Sequence, residues 1–150
     1  MNPSQNPSKV LIVEDDGFLR EIYLESLSSQ NYQIDTAVDG EDAIRKITQG
    51  GWDLVLLDIV MPKMDGLEAI RRIKSDVTLQ GKQLYKKLVF LTNLDNDVDM
   101  KEASKLGDGY IVKSSITPGE LVAKVQGYLA SVNAAGMPAP STSTTDQPTS

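Results

Sequence analysis

The segment "DLVLLDIVMPKMDG", residues 53–66, is the part of the sequence that decides the fold. Its apolar run, 54–57, stops at the carboxylate of Asp58, and a Met-Pro turn then leads to Asp65 and Gly66. A short continuous apolar run is typical of a strand that is buried on both faces of a parallel sheet. Such a strand can end at an acid merely because solvent begins there. The alternative interpretation is that Asp58 is held at the sheet edge because it reacts.

Four further segments have a strand pattern, and helical segments alternate with all of them. The predicted strands cover residues 9–13, 32–38, 53–58, 88–92 and 109–113. The predicted helices, in which apolar residues recur at helical spacing, cover residues 17–30, 40–50, 65–75, 96–107 and 117–130. Strands that alternate with helices form parallel βαβ units with helices on both faces of the sheet. The sequence therefore predicts an α/β fold, a single doubly wound (βα)5 domain.

Composition sets the domain boundaries. A chain of 150 residues is long enough for one domain with a sizeable core. Residues 1–8 are rich in Asn, Pro, Ser and Gln, and residues 132–150 in Ser, Thr, Pro and Ala, so both segments are predicted to be disordered. The folded domain then covers residues 9–131. No DNA-binding segment follows it, and we expect a stand-alone domain.

Charge and residue usage exclude several classes of function. The net charge of -6 and the pI of about 4.6 argue against binding nucleic acid or an acidic membrane through charge. The chain has no cysteine and no histidine, which excludes disulfides, thiolate or imidazole metal sites and histidine-based triads. We see neither a signal peptide nor a membrane-spanning apolar run, and we expect a cytoplasmic protein.

Chemistry-bearing side chains stand where the predicted strands end. In an open parallel sheet, ligands bind at the carboxyl ends of the strands. The residues at those ends are Glu14, Asp15 and Asp16 after the first strand, Asp58 at the third, Thr92 at the fourth and Lys113 at the fifth. We expect these groups to converge on one edge of the sheet.

This set of groups is suited to phosphoryl chemistry. Neighbouring carboxylates repel one another unless a cation neutralises them, and hard oxygen donors favour Mg²⁺. An aspartate can act as a nucleophile and form an acyl phosphate. Phosphoryl transfer then needs mainly positioning and charge neutralisation, which Lys113 and Thr92 would supply.

Four motifs in this order resemble the receiver domain of two-component response regulators. They are "VLIVEDD", "LVLLDIVMPKMDG", "FLTN" and "GYIVK", and the resemblance covers roughly residues 8–131, with "DIVMPKMDG" as its most specific part. The resemblance implies the flavodoxin-like fold of chemotaxis regulators, with a five-stranded parallel sheet of order 2-1-3-4-5 and five helices. It also implies a phosphorelay protein that is not itself an enzyme.

The resemblance assigns a role to each residue of the acid cluster. Asp58 would be the phosphoacceptor, receiving its phosphoryl group from a partner sensor histidine kinase or phosphotransfer protein. Mg²⁺ would be held by Asp15, by Asp58, by Glu14 mainly through a bound water, and by the backbone carbonyl of Val60.

The resemblance also assigns the switch and the output. Thr92 would be the switch hydroxyl, Lys113 the phosphoryl-binding lysine, and Tyr110 the aromatic residue that changes rotamer. An unknown output protein, or a homodimer through the fourth and fifth helices, would read the switch.

Several residues depart from the family pattern. Asn93 stands where a small residue is usual, and its amide could modulate the lifetime of the phosphoryl group. Ser114 replaces a proline that often follows a cis bond. Because a cis bond before a non-proline costs about 2.5–4 kcal/mol, we expect a trans bond and a rebuilt turn. Asp108 replaces a small apolar residue, and Asp16 is expected to cap the first helix more than to bind metal.

Other functions remain open at this stage. An aspartyl phosphatase needs a second acid two residues after the nucleophile, where Val60 stands. A nucleotide- or flavin-binding fold needs a phosphate-cradling loop after the first strand, where the acidic "EDDG" would repel phosphate. A receiver-like interaction module that works without phosphorylation is left open by Asn93 and Ser114.

Overall fold

The computed structural model describes residues 6–93 and 97–135, and strands and helices alternate through them. The strands are β1 (Ser8–Val13), β2 (Tyr32–Ala37), β3 (Trp52–Asp58), β4 (Tyr85–Thr92) and β5 (Gly109–Val112). The helices are α1 (Gly17–Ser28), α2 (Gly40–Ile47), α3 (Gly66–Ser75), α4 (Asp97–Leu106) and α5 (Pro118–Ala135). Single turns of 3₁₀ helix lie at Val77–Leu79 and Lys113–Ser115.

The strands form one parallel sheet of order β2-β1-β3-β4-β5. This order confirms the predicted α/β fold with its 2-1-3-4-5 sheet and five helices. The register aligns the carboxyl ends of the central strands, since Asp58 lies opposite Leu91 and Thr92 lies opposite Val112. Side chains that follow these strands are therefore brought to one edge of the sheet.

The core has two halves, one on each face of the sheet, because successive residues of a strand point to opposite faces. One half packs strand residues such as Leu57 and Phe90 against α2, α3 and α4. The other half packs residues such as Leu56 and Leu91 against α1 and α5, which contribute Leu27 and Val125 among others. Burial on both faces explains why β1, β3 and β4 contain continuous apolar runs.

Side-chain hydrogen bonds cap the N-termini of α3 and α5. The Asp65 carboxylate accepts a hydrogen bond from the Glu68 N–H at 2.8 Å at the start of α3. At the start of α5, the Thr117 hydroxyl accepts from the Glu120 N–H at 3.1 Å, and the Glu120 carboxylate accepts from the Thr117 N–H at 2.8 Å. Such caps satisfy the free N–H groups of a first helical turn and set where each loop ends.

The observed boundaries differ from several of the predicted ones, most among the strands at the start of β4 and most among the helices at the end of α5. Strand β4 begins at Tyr85, three residues earlier than predicted, where half-buried and exposed side chains alternate. Helix α5 continues to Ala135, four residues past the predicted domain boundary at 131, and residues 132–135 contain no Gly or Pro that would end it. The remaining parts of the predicted disordered segments, 1–5 and 136–150, lie outside the described residues. Among the described helices, none is both long and apolar enough to span a bilayer.

Candidate functional site

Glu14, Asp58 and Lys113 form a buried ionic cluster at the carboxyl ends of the strands. The Lys113 Nζ donates hydrogen bonds to Glu14 Oε1 and to Asp58 Oδ2, each at 3.0 Å. The side chains of Glu14 and Asp58 are 1% exposed and that of Lys113 is 7% exposed. The three residues come from the ends of β1, β3 and β5, as predicted. The ammonium bridges two carboxylates that would otherwise repel each other.

Asp15 extends this cluster to three carboxylates. One oxygen each from Glu14, Asp15 and Asp58 lies within 4.8 Å of the other two. The second oxygen of Asp58, Oδ1, is buried and has no hydrogen-bond partner among the described residues. A buried polar atom without a partner is costly, so this oxygen is available to a ligand. Three carboxylates that offer hard oxygen donors, one of which has an oxygen without a hydrogen-bond partner, fit the ligand preference of Mg²⁺.

The surroundings of the cluster set its protonation. The pKa of Asp58 is raised to about 8, first by burial and then by the hydrogen bond and negative charge of Glu14, while Lys113 opposes the rise. Burial lowers the pKa of Lys113, but its hydrogen bond to Glu14 and its attraction to Asp58 outweigh burial and raise that pKa overall. Lys113 is therefore cationic at neutral pH, and Asp58 needs a further cation to ionise fully.

The loop after Asp58 is fixed by backbone contacts. The Ile59 N–H donates to the Leu91 carbonyl at 2.9 Å, and the Gly66 N–H donates to the Ile59 carbonyl at 2.8 Å. A Cβ atom at residue 66 would lie 2.3 Å from the Asp58 carbonyl oxygen, so only glycine fits there. The loop carries Val60, whose side chain is exposed, in keeping with a role for its backbone alone.

The predicted switch residues are placed differently from one another. Thr92 is buried at the end of β4, beside the strand that ends in Asp58. Asn93 is exposed and follows Thr92 directly. Tyr110 lies on the edge strand β5, 37% exposed, and lines a groove of about 580 Å³ with Ile116 and Lys124. The structure thus places Thr92 at the site edge and Tyr110 on the surface beside α5.

The departures from the family pattern are accommodated locally. The bond between Lys113 and Ser114 is trans, and a 3₁₀ turn follows it, which confirms the predicted rebuilt turn. The Asp108 N–H donates to the Leu88 carbonyl at 2.7 Å, and the Asp108 carboxylate accepts from the Leu88 N–H at 2.8 Å. Asp108 therefore extends the β4–β5 ladder by one reciprocal pair.

The loop between β1 and α1 is contacted by a residue of α1, Arg20, that the sequence analysis did not single out. The Arg20 Nη1 donates to the Glu14 carbonyl at 2.7 Å and lies 3.5 Å from the Asp15 carbonyl. Asp16 caps α1, accepting from the N–H groups of Phe18 and Leu19, as predicted. A side chain that binds main-chain carbonyls leaves no pattern in a sequence. The one feature of the sequence that could have pointed to this contact is the position of Arg20, a cationic residue one turn into α1 and close in sequence to the acids 14–16.

The sheet and its acid–lysine cluster together define a doubly wound α/β protein whose ligand site lies at the strand ends. A family model described as the response regulator receiver domain matches residues 10–126. The chain therefore belongs to the response regulator receiver domain family, as its motifs predicted.

Individual proteins agree with this assignment. The transcriptional regulatory protein ResD of Bacillus subtilis is 33% identical over 125 residues, which are 83% of this chain and 49% of ResD. The chain spans about half the length of the curated relatives it matches. A CheY-like receiver domain from Methanospirillum hungatei has a TM-score of 0.74 at 24% identity, covering 87% of this chain and 99% of that one.

A further solved structure is the response regulator TrrA of Thermotoga maritima in complex with Mg(2+)-BeF. It is 34% identical to this chain and has a TM-score of 0.65. The match covers 81% of this chain and 98% of TrrA.

Proposed function

We propose that the chain is a phosphoacceptor response regulator, in which Asp58 receives a phosphoryl group from a partner histidine kinase or phosphotransfer protein. One observation carries the proposal. Asp58 is buried, its Oδ2 is held by Lys113, and its Oδ1 has no partner among the described residues. A carboxylate used only for structure would have both oxygens satisfied. Here one oxygen is left for a ligand or for chemistry.

The acid cluster would hold Mg²⁺ during this reaction. Glu14, Asp15 and Asp58 offer carboxylate oxygens close together, and the Val60 carbonyl belongs to the loop beside them. When bound, the ion supplies positive charge that offsets the carboxylates and the oxygens of the incoming phosphoryl group. The TrrA structure, with its Mg(2+)-BeF, supports the same type of ligand set here.

The transfer itself asks little covalent work of the protein. A carboxylate oxygen of Asp58 attacks the phosphorus of a phosphoimidazole, and the P–N bond breaks. The electron pair of that bond stays on the imidazole nitrogen, which takes up a proton. This chain contains no histidine, so the phosphohistidine is not among its 150 residues, and the proposal assigns it to the partner.

Lys113 and Thr92 would receive the phosphoryl group. The Lys113 ammonium is shared between two carboxylates, and it shifts part of its charge to a phosphoryl oxygen as the acyl phosphate forms. Thr92 ends the neighbouring strand and donates its hydroxyl hydrogen to the same group. The movement of these two residues would be read on the surface that carries Tyr110.

The output would be a protein contact. An unidentified output protein, or a second copy of the chain meeting it through α4 and α5, would bind the altered surface. A second candidate is an interaction module that signals without phosphorylation. It is favoured by Asn93, whose amide follows Thr92 where the family usually has a small residue.

A labelling experiment tests the proposal. The protein is incubated with Mg²⁺ and acetyl phosphate, and intact mass is measured. We expect a gain of one phosphate in the wild type and none in Asp58→Asn. Asp53→Asn is the matched control, because Asp53 lies at the opposite end of the same strand and binds the Lys9 N–H at 2.8 Å. No labelling of the wild type, or equal labelling of Asp58→Asn, would refute the proposal.

A further inference from the structure

The guanidinium of Arg20 folds back over the loop that precedes its own helix. Besides its contacts to the Glu14 and Asp15 carbonyls, it lies above Gly17. A Cβ atom at residue 17 would be 3.5 Å from Arg20 Nη2. The Arg20 backbone N–H also donates to the Asp16 carbonyl at 2.9 Å. Side chain and backbone of Arg20 together therefore contact the carbonyls of all three loop residues, 14–16.

The three acids of the cluster are restrained very differently. The carboxylate of Glu14 accepts from Lys113 at 3.0 Å and from the Asp16 N–H at 3.2 Å, and Asp58 is bound to Lys113. Asp15 is exposed, and its carboxylate makes no hydrogen bond or ion pair within residues 6–93 and 97–135. The position of the Asp15 carboxylate therefore depends on the backbone from which it projects.

We propose that Arg20 is a positioning residue for cation binding. Its guanidinium fixes the β1–α1 backbone, so that the unrestrained carboxylate of Asp15 stays beside Glu14 and Asp58. Arginine suits this task because Nη1 contacts the two carbonyls while Nη2 extends over Gly17, whereas a lysine ammonium is one compact group. Since it assumes that the acid cluster takes Mg²⁺, this role of Arg20 rests on the proposed function.

The direction in which Mg²⁺ affinity changes when Arg20 is replaced distinguishes a positioning role from a purely electrostatic one. Arg20 is itself a cation near a cation site, so its charge alone opposes Mg²⁺ binding. Removing that charge would tighten the binding of Mg²⁺ if Arg20 had no other effect. Losing the loop restraint would weaken the binding instead. The direction of the change in affinity therefore decides between the two roles.

Three variants and two measurements make the test. Arg20→Met removes the donors and the charge at similar length, and Arg20→Lys keeps the charge on one compact ammonium. Arg72→Met is the matched control, because Arg72 pairs with Glu68 on exposed α3. Mg²⁺ affinity is measured by calorimetry. The rate of labelling by acetyl phosphate is measured as a function of Mg²⁺ concentration.

We expect Arg20→Met to weaken Mg²⁺ binding by roughly threefold to tenfold, as the loss of one or two hydrogen bonds would. Arg20→Lys gives an intermediate loss, and Arg72→Met matches the wild type. The labelling rate at saturating Mg²⁺ stays unchanged in the Arg20 variants, because Asp58 and Lys113 are untouched. Only the Mg²⁺ concentration for half-maximal rate rises.

Unchanged or tighter Mg²⁺ binding by Arg20→Met overturns the role of Arg20. If that variant does not fold, Arg20→Lys decides, and an affinity equal to the wild type overturns it. A wild type that binds no Mg²⁺ and is not labelled means that the proposed function has failed. A wild type that binds and is labelled, with Arg20 variants that match it, means that only the positioning role has failed.

Discussion

Replacing Asp58 with asparagine should stabilise the fold while abolishing phosphorylation. Asp58 is 1% exposed, and its ionised form is opposed by burial and by Glu14. Asparagine has nearly the same shape and carries no charge. The variant therefore removes an electrostatic cost from the folded state without leaving a cavity.

The size of the effect follows from the pKa of the carboxyl. It rises from 3.8 to about 8 on folding. One pKa unit corresponds to about 1.4 kcal/mol. The part of the shift that lies below pH 7 therefore limits the stabilisation of the fold by Asp58→Asn to about 4 kcal/mol. Asparagine also loses the charged hydrogen bond to Lys113, a loss of about 1.5–3 kcal/mol. We expect a net stabilisation of about 1–3 kcal/mol.

The pH dependence has a defined sign. Between the ordinary pKa of 3.8 and about 8, the folded state keeps a proton on Asp58 that the unfolded state has released. Because the folded state binds more protons there, the stability of the wild type falls as pH rises through this interval. Asp58→Asn lacks the group. Its advantage over the wild type should grow across the same interval and level off above it.

Urea denaturation of both proteins with a chelator present, from about pH 5 to pH 8, measures this difference. Added Mg²⁺ should narrow it, since the ion stabilises only the protein that binds it. Asp53→Asn serves as the control for loss of an aspartate from the same strand. The reasoning fails if Asp58→Asn is less stable than the wild type at pH 7, or if its advantage does not change with pH.

Three further substitutions test other parts of the site. Lys113→Met should destabilise the protein by about 3–5 kcal/mol in urea denaturation at neutral pH, because it removes the buried ammonium that pairs with Glu14 and Asp58. Gly66→Ala should lower stability by about 1–3 kcal/mol in the same assay, since its Cβ would lie 2.3 Å from the Asp58 carbonyl oxygen. Asp108→Ala should lower the free energy of unfolding by about 1–2 kcal/mol. Hydrogen exchange at the Leu88 amide should become faster, because this amide loses its hydrogen-bond partner.

The order of elements and the position of the site were predictable because burial leaves a strong pattern. Strands such as β1 and β3 are apolar without interruption since both faces are covered, and their ends are where polar residues begin. The parallel arrangement then brings Glu14, Asp58 and Lys113 together.

Other features leave a weaker pattern. The start of β4 was missed because Lys86 and Lys87 look like part of a loop, although their backbone pairs with β3. The contact of Arg20 was missed because main-chain carbonyls have no residue identity. Sequence periodicity reports which side chains are buried, and it carries no information on a side chain that binds backbone.

The arrangement of charge explains how one site can hold a cation and then a phosphoryl group. Three carboxylates face one ammonium, so the cluster is short of positive charge and its Asp58 Oδ1 is unsatisfied. A divalent cation would correct that shortage and let Asp58 ionise, as the proposed nucleophile requires. Under the proposed function, phosphorylation would then replace the Asp58 charge by that of the phosphoryl oxygens, and Lys113 would be drawn toward them and away from Glu14. Because Lys113 directly follows β5, its movement would shift the strand that carries Tyr110. Phosphorylation of Asp58 would in this way change the surface of the protein.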